Sequence, residues 1–238
     1  MKQLNIVAFG AHPDDVELGC GGTLAKYSKE GHNVFIVDLT AGDYGTRGSV
    51  EERLAEAACA AQQLGVKKRI NLRFEDVFFE ENREALLKVV DAIRLLKPDI
   101  ALIPSPVERH PDHERAFKLI KRAIFMAGLR NLKETTISDP HRPSLTLHYI
   151  QHTYIHPEIL VDVTDNWVDK IASLQCYRSQ FDPSYPDPQT ILSTKQFMEF
   201  LESRASMLGF YIGVNKAEGF IRADNTPFQV DLPDLIKT

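Results

Sequence analysis

The sequence predicts an α/β fold: a doubly wound, mostly parallel sheet with helices on both faces, in a single domain over residues 1–238. Three observations carry that prediction. Short apolar runs alternate with helix-forming segments through the first half of the chain, the pattern of βαβ units. Two of those segments stop at a glycine, Gly31 and Gly65. The chain is also long enough to bury a substantial core without disulfides, and no stretch approaches the ~18 apolar residues of a membrane span.

The elements follow in order. Residues 5–9 (NIVAF) form a buried strand, and 23–30 a helix. Residues 34–39 form a second strand. Ser49 to Glu52 is a capping box, the Ser hydroxyl accepting from a backbone donor while the Glu reaches back, and it opens a helix through Leu64. Residues 69–74 are a short strand, 82–96 an amphipathic helix and 100–103 a fourth strand. Asp112 then caps a helix to about residue 127. The second half is less regular. Residues 128–146 read as a surface segment, 147–156 as a strand ended by Pro157, and 181–188 as a Pro-rich loop forming a rim. A late helix over 193–208 begins with its own capping box, Ser193 to Gln196.

Composition narrows the partners. With 28 basic and 33 acidic residues and no Lys/Arg block, neither nucleic acid nor an anionic membrane is expected. The N-terminal apolar run is too short for a signal peptide, so the expected compartment is the cytoplasm. Cys20, Cys59 and Cys176 have no CxxC spacing. They read as small buried hydrophobes in a reducing environment, neither a disulfide framework nor a thiolate metal site.

Two short motifs carry the chemistry. Ala11-His12-Pro13-Asp14-Asp15 follows the first strand, and Arg109-His110-Pro111-Asp112-His113 follows the fourth. In a sheet of order 3-2-1-4 these strands are neighbours where the winding reverses, and the loops leaving their carboxyl ends border a crevice. Imidazole and carboxylate are good ligands for zinc, and a catalytic site keeps an open position for water, whose pKa falls to ~7. A second carboxylate serves as base, then as acid to a leaving amine, and a further histidine can steady an oxyanion. Either motif alone is compatible with a simple turn; their convergence points to metal-assisted hydrolysis. The glycines at 19–22 do not make a dinucleotide loop, because the spacing fails at Leu24, and no phosphate loop of the GxxxxGK[ST] kind occurs. His148, His152 and His156 fall on the expected strand with spacing too long to ligate one ion together, so at most one of them reaches the crevice.

At these motifs the chain resembles the PIG-L/LmbE-like family of metal-dependent N-acetylglucosamine deacetylases, with a Rossmann-like sheet. Residues 39–48 (LTAGDYGTRG) are similar to its Gly-rich loop, with Asp43 where many relatives carry Glu; 170–180 (KIASLQCYRSQ) to a helix ending in Ser-Gln; and 217–220 (AEGF) to its terminal signature. The resemblance implies that His12, Asp15 and His113 hold the metal, usually Zn2+ with another divalent ion such as Fe2+ able to substitute. It implies Asp14 as general base and His110, oriented by Asp112, as the imidazolium facing the oxyanion. Within the family the chain looks most like the branch that deacetylates N-acetylglucosaminyl-malate in bacillithiol biosynthesis, which further implies a homo-oligomer such as a hexamer. Malate carries two carboxylates, which the fork of an arginine suits; Arg53 and Arg109 are the preferred contacts and Arg47 the third. Another glucosamine-linked amide, such as a bacillithiol conjugate, is the alternative substrate; a nucleotide-binding transferase and a non-catalytic binding protein are the alternative classes.

Overall fold

The computed structural model describes residues 2–223. Its sheet has seven strands in the order β3-β2-β1-β4-β5-β7-β6. β1 (Asn5–Gly10), β2 (Asn33–Thr40), β3 (Lys68–Phe74), β4 (Ile100–Ile103) and β5 (Leu145–Tyr149) are parallel. β6 (Ile159–Asp162) and β7 (Ala217–Arg222) close the far edge antiparallel. The helices are α1 (Asp15–Lys29), α2 (Val50–Gln63), α3 (Arg83–Leu96), α4 (Pro111–Ala127), α5 (Trp167–Cys176), the single turn α6 (Arg178–Phe181) and α7 (Lys195–Tyr211). The α/β fold with helices on both faces is as expected, and the expected domain also includes residues 224–238, which lie outside the described residues.

The alternation of side chains along a strand splits the core. Val7 and Phe9 of β1 pack on α3 and α4, while Ile6 and Ala8 pack on α1. A third cluster joins α2, α5, α6 and α7. Burial on both faces is why the central strands are continuous apolar runs.

Several local expectations give way to packing. Helix α1 starts eight residues before position 23, directly behind the first motif, and runs through the glycines with a kink at Cys20 (φ −145°, ψ 21°). Gly19 is required because a Cβ there would lie 2.2 Å from the Tyr149 ring, which the Tyr149 hydroxyl's bond to the Phe9 carbonyl holds in place. The Glu218 carboxylate accepts from the Gly22 and Thr23 amides that the kink leaves free, and Lys170 neutralises it. The box at Ser49 forms as expected, whereas α7 is capped by Thr194, Ser193 bonding instead to Thr190. Helix α4 is capped by His110 rather than Asp112. Cys59 and Cys176 are joined, Cα to Cα 5.8 Å, linking α2 to α5, and Cys59 is exposed. This corrects the reading of both as unpaired buried hydrophobes: 117 residues separate them, so only the packing of α2 on α5 shows the pair. Cys20 is buried and unpaired as expected. No helix among the described residues is long and apolar enough to cross a membrane.

Candidate active site and metal centre

Ile6 pairs with Ile100 and Ala8 with Leu102, so β1 and β4 end side by side at the point where the winding reverses. The two motifs meet there, as the sequence predicts, in a cleft of about 600 Å³. His12, Asp14, Asp15, His110 and His113 all line it. The β1 motif turns sharply into α1 with Asp14 at φ 105°, a left-handed conformation strained for a side chain larger than glycine. The Asp14 side chain caps no amide of the helix and is left facing the cleft.

The expected metal triad is assembled. The ligand atoms of His12, Asp15 and His113 lie within 4.8 Å of one another. His113 Nε2 is 3.1 Å from Asp15 Oδ1, and His12 Nδ1 is 3.4 Å from Asp15 Oδ2. Burial pushes the Asp15 carboxyl up, but the facing imidazoles of His113 and His12 more than offset it and hold it well below its usual range. Burial pulls His12 down, and the carboxylates of Asp112, Asp15 and Asp76 outweigh that and raise it well above its ordinary value. Five buried ionisable groups paired this tightly make a poor packing core, and two imidazoles with one carboxylate are the donor set of a catalytic zinc site. The residues therefore fit a divalent ion.

Around the triad, the carboxylates divide the labour. Asp14 is 4 % exposed and its carboxyl is pushed up to about 7, by burial first, then by Asp15 and Glu17, with Arg53 pulling it down. A carboxyl balanced there can both accept and return a proton near neutrality. Arg53 bonds the Pro13 carbonyl at 2.6 Å and Asp14 Oδ2 at 3.3 Å. Gly42 makes room for it: a Cβ at that residue, whose φ is +73°, would sit 1.8 Å from the Arg53 guanidinium. Arg53, expected at the substrate, thus lines the cleft and also holds Asp14.

Asp112 departs from expectation. His110 Nδ1 accepts from the Asp112 amide at 3.2 Å, while the Asp112 carboxylate turns to His12 Nε2 at 3.3 Å, the Val77 amide and Arg115. Asp112 thus meets His110 through its amide and the His12 ring through its carboxylate, the kind of group that partners a ligating imidazole. Asp76, which sequence reasoning missed, likewise sets its carboxylate 3.0 Å from His12 Nε2 and is held at about 2: burial raises it, but the bond from His12, the His12 charge, the Tyr44 amide and Arg53 together outweigh burial. Its only signal was its position two residues past the carboxyl end of β3, without a histidine nearby in sequence. Burial and the charges of His12 and His113 lower His110.

The arginines separate. Arg109 is exposed and lines the cleft. Arg47 does not line it: 1 % exposed, it donates to the Asp182 carbonyl at 2.8 Å and lies 5.3 Å from the Tyr185 ring. The Pro-rich loop it anchors packs there instead of forming the rim, which Tyr44, Gly45 and Leu192 supply. The 147–156 strand stops at Tyr149, so the three histidines do not share a sheet face. His148 packs edge-on to Phe117 and His152 lines the cleft. Gln151 was also missed; its amide donates to Asp15 Oδ1 at 2.6 Å.

Residues 7–124 match the family described as PIG-L: GlcNAc-PI de-N-acetylase. The chain is 34% identical over 74% of its length to the diacetylchitobiose deacetylase of Thermococcus kodakarensis, covering 70% of that protein. It is 38% identical over 75% of its length to an uncharacterised deacetylase of Escherichia coli, covering 92% of it. A conserved protein of Thermus thermophilus has the same fold, with a TM-score of 0.85 and 34% identity over 97% of this chain and 98% of that one. With the two motifs meeting at one cleft as the strand order predicted, the chain belongs to the PIG-L deacetylases.

Proposed function

We propose that the protein removes the acetyl group from an N-acetylglucosamine conjugate, N-acetylglucosaminyl-malate foremost, using Zn2+ held by His12, Asp15 and His113. The observation that carries this reading is the Asp14 carboxyl, buried beside the triad and balanced near neutrality. A binding site has no use for such a base, and the missing phosphate loop speaks against nucleotide transfer. A divalent ion in the triad polarises a carbonyl and acidifies water.

The chain's own groups account for the rest. Asp14 takes the proton of the water that adds to the acetamide carbon, with Arg53 keeping its carboxylate aimed. His110 Nδ1 accepts from the Asp112 amide, which leaves the ring proton on Nε2 as a donor to the oxyanion. The sequence led to a charged imidazolium here; a neutral imidazole with its tautomer set by that bond supports the same role. Asp14 then returns its proton to the glucosamine nitrogen as the C–N bond breaks, and acetate and a free amine leave. Arg109 at the mouth suits a carboxylate of the aglycone.

The likeness to a diacetylchitobiose deacetylase favours a second substrate, a neutral acetylated disaccharide. Release of primary amine, measured with the zinc-loaded protein on N-acetylglucosaminyl-malate, N,N'-diacetylchitobiose and free N-acetylglucosamine, tests both. Preference for the malate conjugate is expected. Preference for the disaccharide moves the substrate, and no turnover of any of them removes the reading.

A further inference from the structure

Directly before the β4 motif stands a residue that the proposed reaction does not use. Glu108 is buried, and its carboxylate accepts from the amides of Arg109 (2.7 Å), His152 (2.8 Å) and Thr153 (3.0 Å) and from the Thr153 hydroxyl (3.1 Å). These bonds bolt the segment after β5 to the loop after β4. They set the His152 ring against the cleft, at 28° to the His113 ring with 6.2 Å between centroids, and with Phe197 at its other side, 5.6 Å away.

Three ring nitrogens here are buried without a hydrogen-bond partner: Nδ1 of His113 and both nitrogens of His152. A buried imidazole nitrogen is ordinarily paired, and a ligating histidine ordinarily passes its second nitrogen to a carboxylate, a carbonyl or water. His113 has its Nε2 at Asp15, and its Nδ1, on the other side of Cε1, is the unpartnered nitrogen. The ligand atoms of Glu108, His113 and His152 all lie within 4.8 Å of one another. Two imidazoles and a carboxylate repeat the donor set of the triad, on side chains already fixed by packing and by hydrogen bonds.

We propose that Glu108, His113 and His152 form a second divalent-cation site, with His113 as the ligand shared between it and the His12–Asp15–His113 triad. Sharing puts one ion on each ring nitrogen of His113, and the ring gives up its remaining N–H proton to solvent when both are bound. The cation class is that of borderline ions which take nitrogen and oxygen together, Zn2+ first; Ca2+ and Mg2+ prefer all-oxygen sites. The site does not depend on the substrate or on the reaction proposed above.

The test is zinc stoichiometry. The full chain, stripped with a chelator, is dialysed against a buffered series of free Zn2+, and bound zinc per chain is read by elemental analysis. Two successive equivalents are expected in the wild type. His152→Ala and Glu108→Gln should keep the tighter one and weaken the other at least ~10-fold, the lower end of what loss of a supporting group does at a metal site. His12→Ala should do the reverse. In the unmodified protein, the second equivalent should move the ring-nitrogen resonances of His113 and His152. One equivalent throughout, a second equivalent untouched by His152→Ala, or resonance shifts at His32, His141 or His156 instead would each overturn the site. Because the readout is bound metal, absence of deacetylase activity bears only on the proposed function.

Discussion

The loop after β1 and the loop after β4 carry similar words in sequence and behave differently in space. In the first, His12, Asp14 and Asp15 are all buried, the backbone is strained at Asp14, and Arg53 clamps the turn from α2. In the second, burial is graded: Arg109 is exposed, His110 half-buried and His113 buried. Desolvation accordingly acts most strongly on the first loop, where it pushes a carboxyl to about 7. The second offers a range of environments, from a solvent-facing guanidinium to an imidazole sealed against the core. The proposed reaction assigns proton transfer to the dry loop and substrate contact to the graded one, since a base is tuned by excluded water and an aglycone has to enter from solvent.

Changes in each loop sharpen that division. The largest effect is expected in the dry loop: Asp14→Asn should lower turnover about 10³-fold with zinc still bound, read by amine release beside elemental analysis. The wild-type rate should rise with pH as Asp14 loses its proton and level off above that, because the base works only when ionised, and Asp14→Asn should lose that limb. Retention of the limb in the variant would assign it to another group. Next, Asp112→Asn should weaken zinc binding by about 10–100-fold, since its carboxylate steadies His12. Loss of rate with unchanged metal affinity would return Asp112 to His110. At the open end of the second loop, Arg109→Ala should reduce kcat/KM on the malate conjugate by about 10-fold or more and leave free N-acetylglucosamine nearly unaffected. Equal losses on both would defeat the aglycone contact. The smallest catalytic effect is expected at Arg47. Arg47→Ala should cost about 1–3 kcal/mol of stability, measured by denaturant unfolding, through the unpaired carbonyl it leaves behind, with turnover little changed.

The legibility of the site followed the same physics. The two HPD words could be read because each couples a histidine to carboxylates a few residues away, directly past an apolar run. Asp76 has no such local companion, while Gln151 and Glu108 have a histidine nearby in sequence but do not bond to it. Each reaches its partner across the sheet, Asp76 from β3 to His12, Gln151 from β5 to Asp15 and Glu108 to the segment at His152. The late capping box was misplaced by one residue because Ser193 and Thr194 are equally good caps in sequence; the bond of Ser193 to Thr190 decides between them.

What the amino-acid order determined by itself was the alternation of strands and helices, the order 3-2-1-4 of the first four strands, and the pair of strand ends that carry the chemistry. Those rest on the period of apolar residues and on local capping, which act within a few residues along the chain. Tertiary structure decided the rest: the antiparallel edge of β7 and β6, the pairing of Cys59 with Cys176, the burial of Arg47 away from the cleft, and the turn of Asp112 toward His12. Each depends on which groups distant in sequence share a buried space. There the packing of the elements and the pairing of desolvated polar groups choose the partner, and no local pattern records that choice.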